Sequence, residues 1–250
     1  MKKIIISFLT VLLLFSCKKN TLQVVKIEGK QLPITEKLVS DSSIVKTILP
    51  YKKKVEKEMN AVLSYTPKDL ISTDGELESS LGNLLADLCY KKGNFVFKKR
   101  TGKNIDFAMF NFGGIRAEIS KGNVTRKNAF NLMPFENNLV VAELSSKKLK
   151  ELIQFLITQK KAHPLSKQVK LSITDNGYNF SINGKPINDK KNYYILTSDY
   201  LQHGGDHMDF FKNPVHLYPL NYKMRNAIID YFKETDTLKS NLDGRFVMKK

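Results

Sequence analysis

Apolar residues recur at helical spacing in two stretches of the chain. Leu81, Leu84, Leu85 and Leu88 fall at i, i+3, i+4 and i+7 within Glu78–Lys92. Leu149, Leu152, Ile153, Leu156 and Ile157 repeat the pattern within Ser146–Lys161. Each set forms one apolar stripe and predicts an amphipathic helix. Lys91 and Lys92 followed by Gly93 predict where the first helix stops. Inside that helix Gly82 costs about 1 kcal/mol against alanine, so it sits in the first turn or admits another backbone closely. Asp87, among leucines, either points at something specific or lies on a solvated face. Alternation of apolar and polar residues over Val169–Thr174 and Tyr178–Ile182, around Asp175-Asn176-Gly177, predicts a hairpin, with a further turn at Asn183-Gly184. Ile105–Phe110, Leu139–Leu144 and Tyr193–Thr197 read as strands, Leu63–Leu70 as extended chain, and Tyr222–Lys233 as a closing helix before a polar tail. Upstream, Pro50 is expected to split the segment Ile44–Val62, leaving a helix after Tyr51, and Leu22–Ile27 reads as a short strand.

Composition narrows the choices. The 250 residues, 42% of them hydrophobic, suffice for one well-buried domain. Net charge is +17, but only five of the 41 basic residues are arginine. Lysine-dominated charge without zinc-finger, basic-zipper or RNA-recognition motifs points to a solvated surface, and nucleic acid is not an expected partner.

The N-terminus reads as an export signal. Lys2-Lys3 precede an apolar run from Ile4 to Phe15, too short for a comfortable membrane span. Leu14-Phe15-Ser16-Cys17 resembles a bacterial lipobox, with Phe15 a bulky choice at its second position. The expectation is a lipoprotein signal peptide over residues 1–16, lipidation of Cys17, a tether over 17–45, and a domain over 46–250 held at the cell envelope through acyl chains, facing the periplasm or in the outer membrane. A plain signal peptide with an incidental cysteine is the alternative. With Cys17 acylated, Cys89 is the one thiol left, and it reads as a small core residue rather than a nucleophile.

The candidate chemistry centres on Ile105–Leu144. A buried-looking strand runs into Asn111, Phe112, Gly113, Gly114, Ile115 and Arg116. Bare glycine amides can approach a ligand closely, and the planar guanidinium of Arg116 suits phosphate or carboxylate. By itself such a turn most often only turns a corner.

Four blocks in order change that reading: Glu78–Asp87 (ESSLGNLLAD), Asn111–Arg116 (NFGGIR), Met133–Asn137 (MPFEN) and Tyr200–Asp206 (YLQHGGD). Together they resemble the C-terminal, substrate-recognising domain of the 5'-nucleotidase family, across roughly residues 60–235. The resemblance implies an α+β fold of mixed sheets with flanking helices, and a site for a nucleotide or nucleoside. It assigns Arg116 to the substrate phosphate and Asn111 to the neighbourhood of the nucleoside. Phe135 matches one of two aromatics that clamp the base, and Tyr200 stands where the second is usually phenylalanine. Asp206 matches the aspartate that holds the ribose hydroxyls. Gly113, Gly114, Asn137, Gly204 and Gly205 complete the expected binding set.

Departures from the family pattern are equally informative. A further phosphate arginine usual after the first helix is replaced here by Tyr90–Phe95, so Lys91 or Lys92 would have to serve. His207-Met208 follow Asp206 where the family usually has a small residue and an aromatic. The two-metal phosphoesterase half of family members needs several histidines and carboxylates in set motifs. The four histidines here, His163, His203, His207 and His216, lie in none of them. No catalytic residue, metal ligand or cofactor is therefore expected within the chain. Two readings remain: the substrate-binding half of a split hydrolase whose separate metallophosphatase subunit carries two divalent metals, or a lipid-anchored binding module with no hydrolytic partner.

Overall fold

A computed structural model describes residues 23–249; the expected signal peptide and Cys17 lie outside them. The chain divides between Ile48 and Leu49 into two units. In the first, residues 23–34 have no regular structure, so the strand expected at Leu22–Ile27 is absent over its described part: no strand edge pairs with it. Helix α1, Ser42–Met59, runs across this division; it contains Pro50 and is not split by it. Proline deletes one backbone hydrogen bond but already holds a helical φ, and the turns on both sides are complete. Among the described residues no helix is long and apolar enough to cross a membrane.

In the second unit, the first amphipathic helix is longer than its pattern predicted. Helix α2 runs over Ser80–Thr101, capped by the Ser79 side chain, which accepts from Gly82 N, and it ends at Gly102 in the left-handed region. Gly82 therefore belongs to the first turn. Gly93 does not stop the helix, because its missing side chain serves packing: a Cβ there would lie 2.8 Å from Leu196 Cδ2. Lys91 and Lys92 fall mid-helix, and Lys98, Lys99 and Arg100 are the cations of the last turn. Cys89 is fully buried, and burial pushes its thiol pKa up, as expected of an inert core residue.

The sheets are mixed, as an α+β fold requires. Strands β1 (Val62–Thr66) and β3 (Gly122–Thr125) pair antiparallel, and β3 leads into helix α3, Arg126–Leu132. The central sheet has the order β2-β7-β4-β8, with β2 Phe107–Ala108, β7 Asn192–Ser198, β4 Asn138–Ser145 and β8 His216–Lys223. The third sheet places β5 (Val169–Thr174) between β6 (Gly177–Ile182) and β9 (Phe246–Met248). β5 and β6 form the expected hairpin, with Thr174 opposite Gly177. Helix α4, Ser146–Gln159, buries Leu149, Leu152, Ile153 and Leu156.

The remaining differences come from pairing. Strand β2 keeps only two of the six residues expected at Ile105–Phe110, although flanking amides Asp106 N and Met109 N still donate to β7 carbonyls. Tyr222 belongs to β8, and the closing helix α6 starts two residues later, at Met224. β8 contains Pro219, which argues against a strand until the sheet order shows that β8 is an edge, where a missing donor is tolerated. The tail is more than polar, since it supplies β9 and the buried Arg245.

Candidate functional site

Topology brings three segments to one end of the central sheet. β2 and β7 are parallel, so their C-terminal ends lie together, and antiparallel β4 places its N-terminal end beside them. Past β2 come Asn111 and a 3₁₀ turn over Phe112–Gly114. Before β4 lies the Pro134–Asn137 loop; past β7 come helix α5, Asp199–Gln202, and a second 3₁₀ turn over Gly205–His207. Asp199 stitches two of these segments, its Oδ2 accepting from both Asn138 N and Nδ2 at 3.1 Å.

A cavity of about 340 Å³ opens where the segments meet. Its walls are Asn111, Gly113, Gly114 and Arg116 from the first, Phe135 and Asn137 from the second, and Tyr200 and Asp206 from the third. Gly204 and Gly205 stand behind the wall rather than in it. Gly204 has φ 90°, and a Cβ on it would meet Lys212 Cε at 2.1 Å. A Cβ on Gly205 would lie 2.4 Å from Tyr200 Cε1, so the tyrosine ring is seated on bare backbone.

The polar groups of the cavity are organised around Asp206. Asn111 Nδ2 donates to its Oδ2 at 2.7 Å, and the Tyr200 hydroxyl donates to its Oδ1 at 2.8 Å. That hydrogen bond raises the Tyr200 pKa and keeps the phenol protonated. Asp206 itself holds φ 52°, a left-handed conformation that aspartate tolerates better than most side chains. Arg116 is exposed; its side chain's one hydrogen bond among the described residues, from Nη1 to Gly113 O, is 3.5 Å, and its Cζ lies 6.0 Å from the centre of the Phe135 ring. Phe135 and Tyr200 remain 41% and 46% exposed, leaving flat apolar surface open in the same cavity. The arrangement offers a cation, two aromatic faces and a pre-bonded carboxylate to one ligand.

Two supports were not legible in the sequence. His163 is buried, and its Nδ1 accepts from Phe112 N at 3.1 Å, holding the start of the first 3₁₀ turn. Burial first, then nearby Lys161, pulls its pKa down to about 4, against an opposing pull from Asp206. Arg225 lies beneath the Pro134–Asn137 loop: its Nη1 donates to Met133 O and Pro134 O, its Nη2 pairs with Glu136, and its Cζ sits 4.3 Å from the Phe130 ring centre. Its scarcity as one of five arginines was the only available signal. The expected lysine substitutes do not reach the cavity: Lys92 pairs with Glu234, and Lys91 lies over Tyr231.

A two-metal centre does not fit these residues. His203 Nδ1 lies 2.7 Å from Asp199 O, and among the described residues no three His, Cys, Asp or Glu side chains are grouped to hold a metal.

The sequence model of the 5'-nucleotidase C-terminal domain matches residues 62–213. The trifunctional nucleotide phosphoesterase protein YfkN of Bacillus subtilis is 28% identical over 257 residues, covering 89% of this chain and 16% of that protein. Protein UshA of Escherichia coli is 34% identical over 114 residues, covering 43% of this chain and 20% of that protein. The crystal structure of the 5'-nucleotidase precursor from Thermus thermophilus superposes with TM-score 0.64 at 22% identity, covering 81% of this chain and 42% of that one. The chain spans less than half the length of these relatives.

Proposed function

The chain belongs to the family of 5'-nucleotidase C-terminal domains, and from that premise we propose that it is the nucleotide-recognising half of a split 5'-nucleotidase-type hydrolase in nucleotide catabolism. The observation that carries this is the gathering of Asn111, Arg116, Phe135, Tyr200 and Asp206 around one cavity. Phe135 and Tyr200 stack a base, at roughly 1 kcal/mol or more per face. Asp206 accepts from sugar hydroxyls, and the Arg116 fork meets a phosphate. Hydrolysis is then the work of a metallophosphatase outside these 250 residues, which carries the two divalent metals. The reading is supported by the four histidines of the sequence lying in none of the phosphoesterase motifs.

Titration calorimetry with AMP and adenosine tests the reading. Both ligands are expected to bind the purified protein. Arg116→Lys should weaken AMP about 10-fold, roughly 1.4 kcal/mol, while adenosine changes by less than about 2-fold, because only the bidentate phosphate contact is lost. Equal losses for the two ligands would assign Arg116 to structure instead of phosphate.

The proposal also places the protein at the cell envelope through acyl chains on Cys17, a reading supported by the lipobox-like tetrapeptide. Cys17→Ser is expected to move the protein from the membrane fraction to the soluble fraction. Unchanged processing and membrane association in that variant would remove the lipid anchor from the account.

A further inference from the structure

The Asp206 carboxylate is engaged before any ligand arrives. One oxygen accepts from Asn111 Nδ2 at 2.7 Å, the other from the Tyr200 hydroxyl at 2.8 Å. These bonds do not exhaust the three groups. Each carboxylate oxygen keeps a lone-pair direction, the Tyr200 oxygen can still accept, and Asn111 keeps a second N–H to donate. Acceptors on two residues and a donor on a third, within one cavity wall, match two adjacent hydroxyls better than one, because each hydroxyl both donates and accepts.

The cluster is also rigid on its own. The Tyr200 ring is seated against Gly205, where even a methyl group would collide at 2.4 Å. Asp206 is held at φ 52° by the turn that follows Gly204. Such preorganisation spares the ligand the entropy of arranging its own receptor. Asp206 and Tyr200 are both exposed at the cavity mouth, so a sugar reaches them without any opening of the fold.

We propose that Tyr200 is a sugar-selecting residue whose hydroxyl, together with Asp206 and Asn111, forms a receptor for a vicinal diol and makes the domain discriminate ribonucleosides from their 2'-deoxy counterparts. This rests on the nucleotide reading above. It adds that the selection resides in the tyrosine hydroxyl as well as in the carboxylate, whereas the ring face serves any base alike.

The test is calorimetric titration of wild-type protein and Tyr200→Phe with adenosine and 2'-deoxyadenosine. Wild type is expected to prefer adenosine by about 10-fold, in line with the loss of a paired hydroxyl to a charged acceptor. Tyr200→Phe keeps the ring, so its affinity for 2'-deoxyadenosine should stay within about 2-fold while the preference for adenosine falls to about 3-fold or less. A preference unchanged in Tyr200→Phe overturns the proposal and leaves selection to Asp206 alone. Equal weakening of both ligands also overturns it, making the hydroxyl a brace for the ring. A wild type that binds adenosine and 2'-deoxyadenosine equally overturns it while leaving the nucleotide reading intact. Failure of wild type to bind either nucleoside removes both.

Discussion

Replacing Arg245 with leucine is expected to destabilise the fold by about 3 kcal/mol, near the lower end of the cost of breaking a buried ion pair from one side. All five N–H donors of this guanidinium are used. Nη1 donates to Asp87 Oδ1 at 3.0 Å and to Leu165 O at 2.7 Å. Nη2 donates to Asp87 Oδ2 at 3.0 Å and to Asp243 Oδ2 at 2.7 Å, and Nε donates to Asp243 Oδ1 at 2.9 Å. The Arg245 side chain is 4% exposed, but Asp87 and Asp243 are 31% and 41% exposed. Water therefore recovers part of the stranded carboxylates, which is why the lower end applies.

The same neighbourhood ties the C-terminal segment to α2. Gly244 N donates to Glu78 Oε1 at 2.7 Å, and Asn83 Nδ2 bridges Glu78 Oε2 and Asn241 O. Urea denaturation of wild type, Arg245→Leu, Asp87→Asn and Asp87→Asn/Arg245→Leu measures the effect. The double variant should lose less than the two single changes summed, because it no longer strands Asp87. A loss under about 1 kcal/mol in Arg245→Leu would show the cluster to be ornamental to stability.

Stability should also fall on acidification between about pH 6.5 and pH 4, through His163. Its Nδ1 accepts from Phe112 N, so the folded protein needs the ring unprotonated, and burial lowers its pKa to about 4. Over this window the unfolded chain binds a proton that the folded chain refuses. The contribution is thus complete above the unfolded value near 6.5 and is lost as pH falls toward the folded one, on the order of 3 kcal/mol in all. Because Phe112 opens the turn that leads to Arg116, AMP affinity should decline through this group only as pH approaches about 4, where the folded ring itself takes up the proton. His163→Gln can still offer an acceptor to Phe112 and does not titrate. Comparing the two stability–pH curves isolates the histidine from the carboxylates that titrate nearby. Parallel curves for wild type and His163→Gln would refute the assignment.

Periodicity alone located helices α2 and α4 and the β5–β6 hairpin, because apolar stripes and turn residues are local properties. Four blocks of residues in chain order, through the family they resemble, pointed to residues that line one cavity. Local rules failed where a residue answered to a distant neighbour. Gly93 looked like a stop and is a contact with Leu196; Asp87 could not be told from a solvated residue until Arg245 reached it from the far end of the chain.

Asn111, Gly113, Gly114, Arg116, Phe135, Asn137, Tyr200 and Asp206 stand in runs recognisable from the chain alone, which is why they could be named as candidate binding residues. How they meet is a matter of strand order. The parallel pairing of β2 with β7 and the antiparallel pairing of β4 bring residues 111–116, 135–137 and 200–206 to one sheet end, a consequence of strand order that no local pattern encodes. The bond from Tyr200 to Asp206, the seat at Gly205, and the supports from His163 and Arg225 likewise depend on distances across the fold, since hydrogen bonds and steric contact are decided within a few ångströms of space whatever the separation along the chain.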